Sequence, residues 1–250
     1  MPIIVLYYLV NNLSFTEIGT LAAVTAVIHM STEIHGGIFA DINGKKTSLM
    51  LHAFFGILTM LFYFLGNSFI WFLLASLMYG IAGAFITGTR NSLLFESLAQ
   101  LNRTQEFKKY TGKVMLYSHL VNAVLLLGVP LLYEYNNKLP FLIGIIFFVI
   151  AFVLSLFFVE PPINKSVQKT KNIYSKKLKS AFLEIQISKK LMSSIFVSVV
   201  TVAFAFMSSE FIQPLLKISS LPVIYFGVVY ALMRILTGLG GAVTHKLDKY

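Results

Sequence analysis

The sequence contains no cysteine and few charged residues. Without cysteine the chain can form neither a disulfide nor a thiolate metal site. Charged residues make up only 12% of the chain, whereas soluble domains carry roughly 25%. A surface that faces water on all sides cannot be built from so few charges. The composition therefore excludes an ordinary soluble protein and points to a lipid environment.

Signatures of catalysis are also missing from the sequence. We find no nucleophile paired with a base and no HExxH spacing. His29, Glu33 and His35 lie close together, but a polar contact between helices explains them better than a metal site. We therefore expect no enzyme activity, no cofactor and no metal.

Apolar segments occupy most of the chain, which predicts an all-α membrane protein. A spanning helix needs about 20 mostly apolar residues. The first segment is half that length, and we interpret it as the outer half of a helix whose beginning is missing. We predict eight segments, at 2–11, 17–40, 47–66, 69–98, 112–133, 139–159, 190–214 and 222–244.

Lysine and arginine predict the orientation of these segments. When the turns are assigned alternately to two sides, sixteen of the 20 basic residues fall on one side and two on the other. Loops rich in lysine and arginine face the cytoplasm. Topology and lipid headgroups thus account for the net charge of +10, and we expect the lipid bilayer, not nucleic acid, as the partner of these charges.

A weak internal repeat supports a division into two halves. The stretch GGIFADINGKK from Gly36 aligns with GGAVTHKLDKY from Gly240, 204 residues later. Both stretches close an apolar helix and enter a basic turn. A repeat on the two sides of a basic central loop is typical of transporters built from two bundles.

The stretch GGIFADINGKKTSL resembles the signature G-x-L-A-D-x-x-G-R-K of the major facilitator superfamily, which lies between its second and third helices. The stretch AGAFITGTRNSLLFESL is similar to the fourth helix of a bacterial efflux-like branch, A-F-x-S-G-T-D-x-A-L-x-Y-D-S-L. Arg90 replaces the first acid of that pattern, and Glu96 replaces the second conservatively.

The resemblance implies a major facilitator-type helical bundle, with twelve helices in two groups of six. This chain would supply about eight of them: residues 1–160 as the first bundle with an incomplete first helix, 161–189 as a basic cytoplasmic linker, and 190–250 as the start of the second bundle. It also implies a monomeric secondary active transporter in the cell membrane that exports a small molecule in exchange for protons. A truncated, non-transporting remnant of such a carrier is the alternative.

The family signature supplies a candidate cytoplasmic gate. Asp41 would end a helix, where the helix dipole disfavours an anion, so it needs cations nearby. We expect Gly37 to permit a close backbone approach and Gly44 to adopt a left-handed turn. Glu96 is expected to latch onto the adjacent lysines. The candidate gate residues are Gly37, Asp41, Gly44, Lys45, Lys46 and Glu96.

Four further charges lie within apolar segments. Glu33 and Arg90 have opposite charges at similar predicted depth, and an unpaired charge there costs about 2.5–3.5 kcal/mol. We therefore predict an intramembrane pair, acting as a structural lock or as a proton or gating switch. Glu210 is a candidate contact for substrate or proton, and a structural pair with Arg234 is its alternative.

The predicted orientation can be tested by labelling single cysteines in intact cells, because the chain has no native cysteine. Cysteines at Ser68 and Asn136 should react with a membrane-impermeant maleimide from outside, whereas a cysteine at Ser166 should not. The reverse pattern would show that the orientation is inverted.

Overall fold

The computed structural model describes residues 2–159, 192–193, 197, 200 and 212–247, with side chains for all of these except Ile34 and 240–247. Every regular element within these residues is a helix, which confirms the predicted fold class. Residues 212–218 are helical, and a short 3-10 helix spans Thr104–Glu106. The longer elements are α1 (Ile4–Val10), α2 (Phe15–Asn43), α3 (Lys45–Leu65), α4 (Phe69–Gln100), α5 (Phe107–Tyr135), α6 (Leu139–Leu156) and α7 (Ile224–Leu247).

Four stretches of the described chain are long and apolar enough to cross a membrane. They are α3, α4, α6 and the stretch Thr104–Tyr135, which joins the 3-10 helix to α5. The 29 residues of α2 exceed the length of a membrane span, but this helix is more polar because it carries three carboxylates and two histidines. By length and composition, the helices support a membrane protein.

Local sequence signals set the helix ends. The Ser14 hydroxyl accepts the backbone N–H of Glu17 at 3.3 Å, and the Glu17 carboxylate accepts the N–H of Ser14 at 2.8 Å. This reciprocal capping box begins α2. Pro140 occupies the first turn of α6, where its missing N–H has no helical partner to lose.

The short α1 lies at the centre of the described core. Tyr7 is fully buried, with its ring centroid 4.5 Å from that of Phe141 in α6 and 5.6 Å from that of Phe72 in α4. Its hydroxyl donates to the carbonyl of Tyr63 at 2.9 Å and lies 3.2 Å from the carbonyl of Gly66. These carbonyls end α3 and have no partner within that helix, so Tyr7 joins three helices.

The remaining helices pack side by side. α2 lies along α4, α3 lies between α4 and α6, and α5 lies along α7. The α2–α4 contact is close at Gly36, because an added Cβ would collide with the carbonyl oxygen of Ala84. Between α5 and α7, a Cβ on Gly227 would lie 2.5 Å from the carbonyl oxygen of Leu126 and 3.1 Å from Pro130.

The helix that packs most extensively against α5 is α7, which follows the central loop in the sequence. α5 has fewer contacts with α4 and α6 than with α7. A second contact also joins the parts before and after the loop: the backbone N–H of Val5 in α1 donates to the amide oxygen of Gln213 at 2.9 Å. The described helices before and after the loop are therefore joined at two places, and the division into residues 1–160, 161–189 and 190–250 stays a prediction.

Substitution of Tyr7 tests the role of α1 in the core. Tyr7→Phe should lower the free energy of unfolding by about 1 kcal/mol through the lost hydrogen bond, and Tyr7→Ala by about 3–5 kcal/mol through the cavity. Thermal unfolding of the purified protein measures both. Tyr135→Ala, at a side chain that is 87% exposed, is the control and should change little. Equal losses at both positions would contradict a central role for α1.

Candidate cytoplasmic gate and membrane charges

A single residue separates α2 from α3. Gly44 has φ 96° and ψ 150°, a conformation that strains any residue with a Cβ. The positive φ that a left-handed turn requires is present at this position, but the ψ of 150° lies outside the left-handed helical region. Because the turn is so short, the last turn of α2 and the first turn of α3 lie side by side at the end predicted to be cytoplasmic.

Lys45 is the buried charge at this turn. Its side chain is 8% exposed, and its ammonium nitrogen lies 2.6 Å from a Glu96 oxygen and 3.8 Å from an Asp41 oxygen. The two carboxylates are about half exposed. Lys45 therefore links the ends of α2, α3 and α4. The structure brings together three of the candidate gate residues, whose gating role stays a prediction.

Two other candidate gate residues lie outside this cluster. Lys46 is partly exposed and forms no ion pair within the described residues. No described atom lies within 4 Å of a Cβ added to Gly37. The close approach expected at Gly37 occurs instead at Gly36, because the α4-facing side of α2 passes through that neighbouring residue.

The predicted pair of Glu33 and Arg90 is not formed in this conformation. Both side chains are exposed, and no ion pair within the described part of the chain joins them. Arg234 is exposed on α7, whereas Glu210 lies outside the described residues. The bridge between Glu33 and Arg90 and the roles of Glu210 and Arg234 therefore stay predictions.

Hydroxyl and imidazole groups join α3 to α4, and the sequence reasoning missed them. Thr89 donates to the Ser48 hydroxyl at 3.1 Å, and Ser48 donates to the carbonyl of Phe85 at 2.9 Å. A ring nitrogen of His52 lies 2.8 Å from the carbonyl of Ala82. Small polar residues on apolar helices commonly mark helix contacts in membranes, so this signal was available in the sequence.

His29 makes a polar contact between α2 and α4. Its Nε2 lies 3.4 Å from the Thr87 hydroxyl. A Cβ on Gly83 would collide with the His29 ring, so glycine makes room for the imidazole. The sequence predicted a helix contact for His29 but did not identify Thr87 and Gly83 as the residues that His29 contacts.

The turn before α5 carries an exposed ion pair. Arg103 donates to both Glu106 oxygens, at 2.6 and 2.8 Å, and to the Tyr110 hydroxyl at 3.0 Å. The hydrogen bonds and charge of Glu106, together with Tyr110, raise the pKa of Arg103 above its ordinary value. This contact orders the turn.

Metal chemistry finds no support in the described part of the chain. It contains no group of three or more histidine, aspartate or glutamate side chains arranged to hold a metal ion.

Comparison with known proteins identifies the family. The family model described as Major Facilitator Superfamily matches residues 1–250. The chain therefore belongs to the Major Facilitator Superfamily, and the resemblance to this superfamily is confirmed.

One curated relative is the "Uncharacterized MFS-type transporter YxaM" of Bacillus subtilis (strain 168). It is 26% identical to this chain over 237 residues, which are 92% of this chain and 58% of the relative. The chain thus spans little more than half the length of this relative. No solved structure matches the chain.

The Lys45 cluster predicts an asymmetric effect of removing its two acids. Glu96→Ala should lower the free energy of unfolding by about 1–3 kcal/mol, because it removes the nearer partner of a buried ammonium. Asp41→Ala should cost less than about 1 kcal/mol, as expected for a longer pair whose carboxylate is half exposed.

Thermal unfolding in detergent measures the difference, with Lys46→Ala as the control for loss of a charge at the same turn. If Asp41→Ala cost more than Glu96→Ala, then Glu96 would not be the principal partner of Lys45.

Proposed function

We propose that this chain belongs to a secondary active transporter that exports a small molecule from the cell in exchange for protons. It would act as a monomer in the cell membrane and work by alternating access, in which two bundles open a central path to one side at a time. Membership of the Major Facilitator Superfamily supports transport. The efflux-like sequence of α4 supports export.

The observation that carries the proposal is the Lys45 cluster. Alternating access needs helices that move together as a rigid unit. Lys45 joins α2, α3 and α4 at one end through a buried ammonium. The close contact of Gly36 with Ala84 holds α2 against α4. These contacts make the three helices suitable as one moving unit.

Among the described residues, one face of α2 has no close neighbour at Gly19 and Gly37, and this face would line the path between the bundles. Gly19 and Gly37 are eighteen residues apart, which is five turns of helix and about 27 Å, so they share a face. No described atom lies within 4 Å of a Cβ added at either position. Gly19 is near the predicted outer end and Gly37 near the predicted cytoplasmic end.

These two glycines provide a matched test of alternating access. In Gly19→Cys and Gly37→Cys variants of the carrier, we expect an imposed pH gradient to change maleimide labelling in opposite directions. A condition that exposes one end of the path should close the other. Labelling in intact cells measures the outer position, and labelling in inverted vesicles measures the cytoplasmic one.

The controls separate the alternatives. A Ser68→Cys variant in the outer turn should label equally under all conditions. Labelling of both glycine positions that does not respond to any gradient would favour a non-transporting remnant. Opposite changes driven by membrane potential, but not by pH, would retain transport and exclude protons as the coupling ion.

A further inference from the structure

Polar residues of α2 and α4 border one edge of the contact between these helices, and we call the surface between them the α2–α4 groove. At the end of the groove nearer the predicted outer side, His29 Nε2 lies 3.4 Å from the Thr87 hydroxyl. Gly83 on α4 allows this approach, because any larger residue would collide with the His29 ring. The two helices are therefore fixed side by side at the level of His29 and Thr87.

Helix geometry places Glu33 and Arg90 on the two walls of this groove. Glu33 follows His29 by four residues, and Arg90 follows Thr87 by three. Residues at these spacings are neighbours on one helix face. α2 and α4 both run from the predicted outer side to the predicted cytoplasmic side. Both charges therefore lie about 5 Å below the His29–Thr87 contact.

By this spacing, Glu33 and Arg90 lie beside the same stretch of the α2–α4 contact. Glu33 and Arg90 are both exposed, and no ion pair within the described residues joins them. Ionisable side chains at membrane depth face a bundle interior or a water-filled cavity and not lipid. An open groove with one charge of each sign on its walls is therefore suited to a ligand.

We propose that this groove binds a small zwitterion, with its anionic group at Arg90 and its ammonium group at Glu33, in place of the predicted bridge between the two side chains. The inference rests on the proposed function, since it names the class of molecule that the carrier transports. A ligand with only a negative group leaves Glu33 without a partner, and a ligand with only a positive group leaves Arg90 without one. A zwitterion supplies a partner of opposite charge to Glu33 and to Arg90 at the same time.

The test uses probes of different charge, three of which share the leucine side chain. L-leucine is a zwitterion, its methyl ester is a cation, and N-acetyl-L-leucine is an anion. γ-Aminobutyrate is a second zwitterion with a longer distance between its charges. We expect one or both zwitterions to raise the melting temperature of the purified protein by about 3–5 °C at about ten times the dissociation constant. The two singly charged analogues should have little effect.

Variants then test which side chain binds each charged group of the probe. Glu33→Gln and Arg90→Gln should each abolish most of the shift caused by the zwitterion, measured from the variant's own melting temperature. The double charge swap Glu33→Arg with Arg90→Glu should restore part of it, because the ligand can bind in the reverse direction. Arg103→Gln, which removes the same charge outside the groove, should leave the shift unchanged.

Three results would overturn the inference. The first is the absence of a shift with both zwitterions, and the second is an equal shift with a singly charged analogue. The third comes from a double-mutant cycle without ligand, in which the stability losses of Glu33→Gln and Arg90→Gln should simply add. Coupling between them would show that the two side chains form a structural bridge.

Binding is measured here without transport, so the two proposals can fail separately. If Gly19→Cys and Gly37→Cys alternate in accessibility but no zwitterion binds, only the ligand class is wrong. If a zwitterion binds with the expected dependence on Glu33 and Arg90 but accessibility never alternates, the site stands and transport by this chain is wrong.

Discussion

The close contact between α2 and α4 determines the arrangement of both candidate sites. Gly36 lies against the backbone of Ala84, and Gly80 lies so near Ile28 of α2 that an added Cβ would be 2.9 Å from its side chain. Small residues let helix backbones approach in a membrane, where van der Waals packing and hydrogen bonds drive association. This contact brings His29 to Thr87 and also brings the end of α4, with Glu96, to the α2–α3 turn.

The Lys45 cluster completes that arrangement at the predicted cytoplasmic end. A buried ammonium requires partners, since taking a charge out of water is costly. Lys45 obtains them from α2 and α4, and the single-residue turn at Gly44 leaves it little freedom to move away. The family signature thus has a structural basis in this chain, in which the acid, the glycine and the basic residue meet at one point.

Several features were predictable because they depend on composition and short spacings. The helical class, the membrane setting, the family and the positive φ of Gly44 all follow from apolar length, charge distribution and one short motif. The sequence could not show that α4 approaches α2 closely at Gly36 and not at Gly37. Neighbouring residues on a helix point about 100° apart, so only the position of α4 decides which of the two glycines faces it.

The sequence by itself determined that the chain forms apolar helices with basic loops on one side, because hydrophobic length and the distribution of lysine and arginine are properties of the residues alone. The tertiary structure decided which charges meet. It brought Lys45 to Glu96, residues in different helices, and in this conformation it forms no ion pair between Glu33 and Arg90. The physical reason is that an ion pair depends on distances of a few ångströms, which rotation and crossing of packed helices set and local sequence does not.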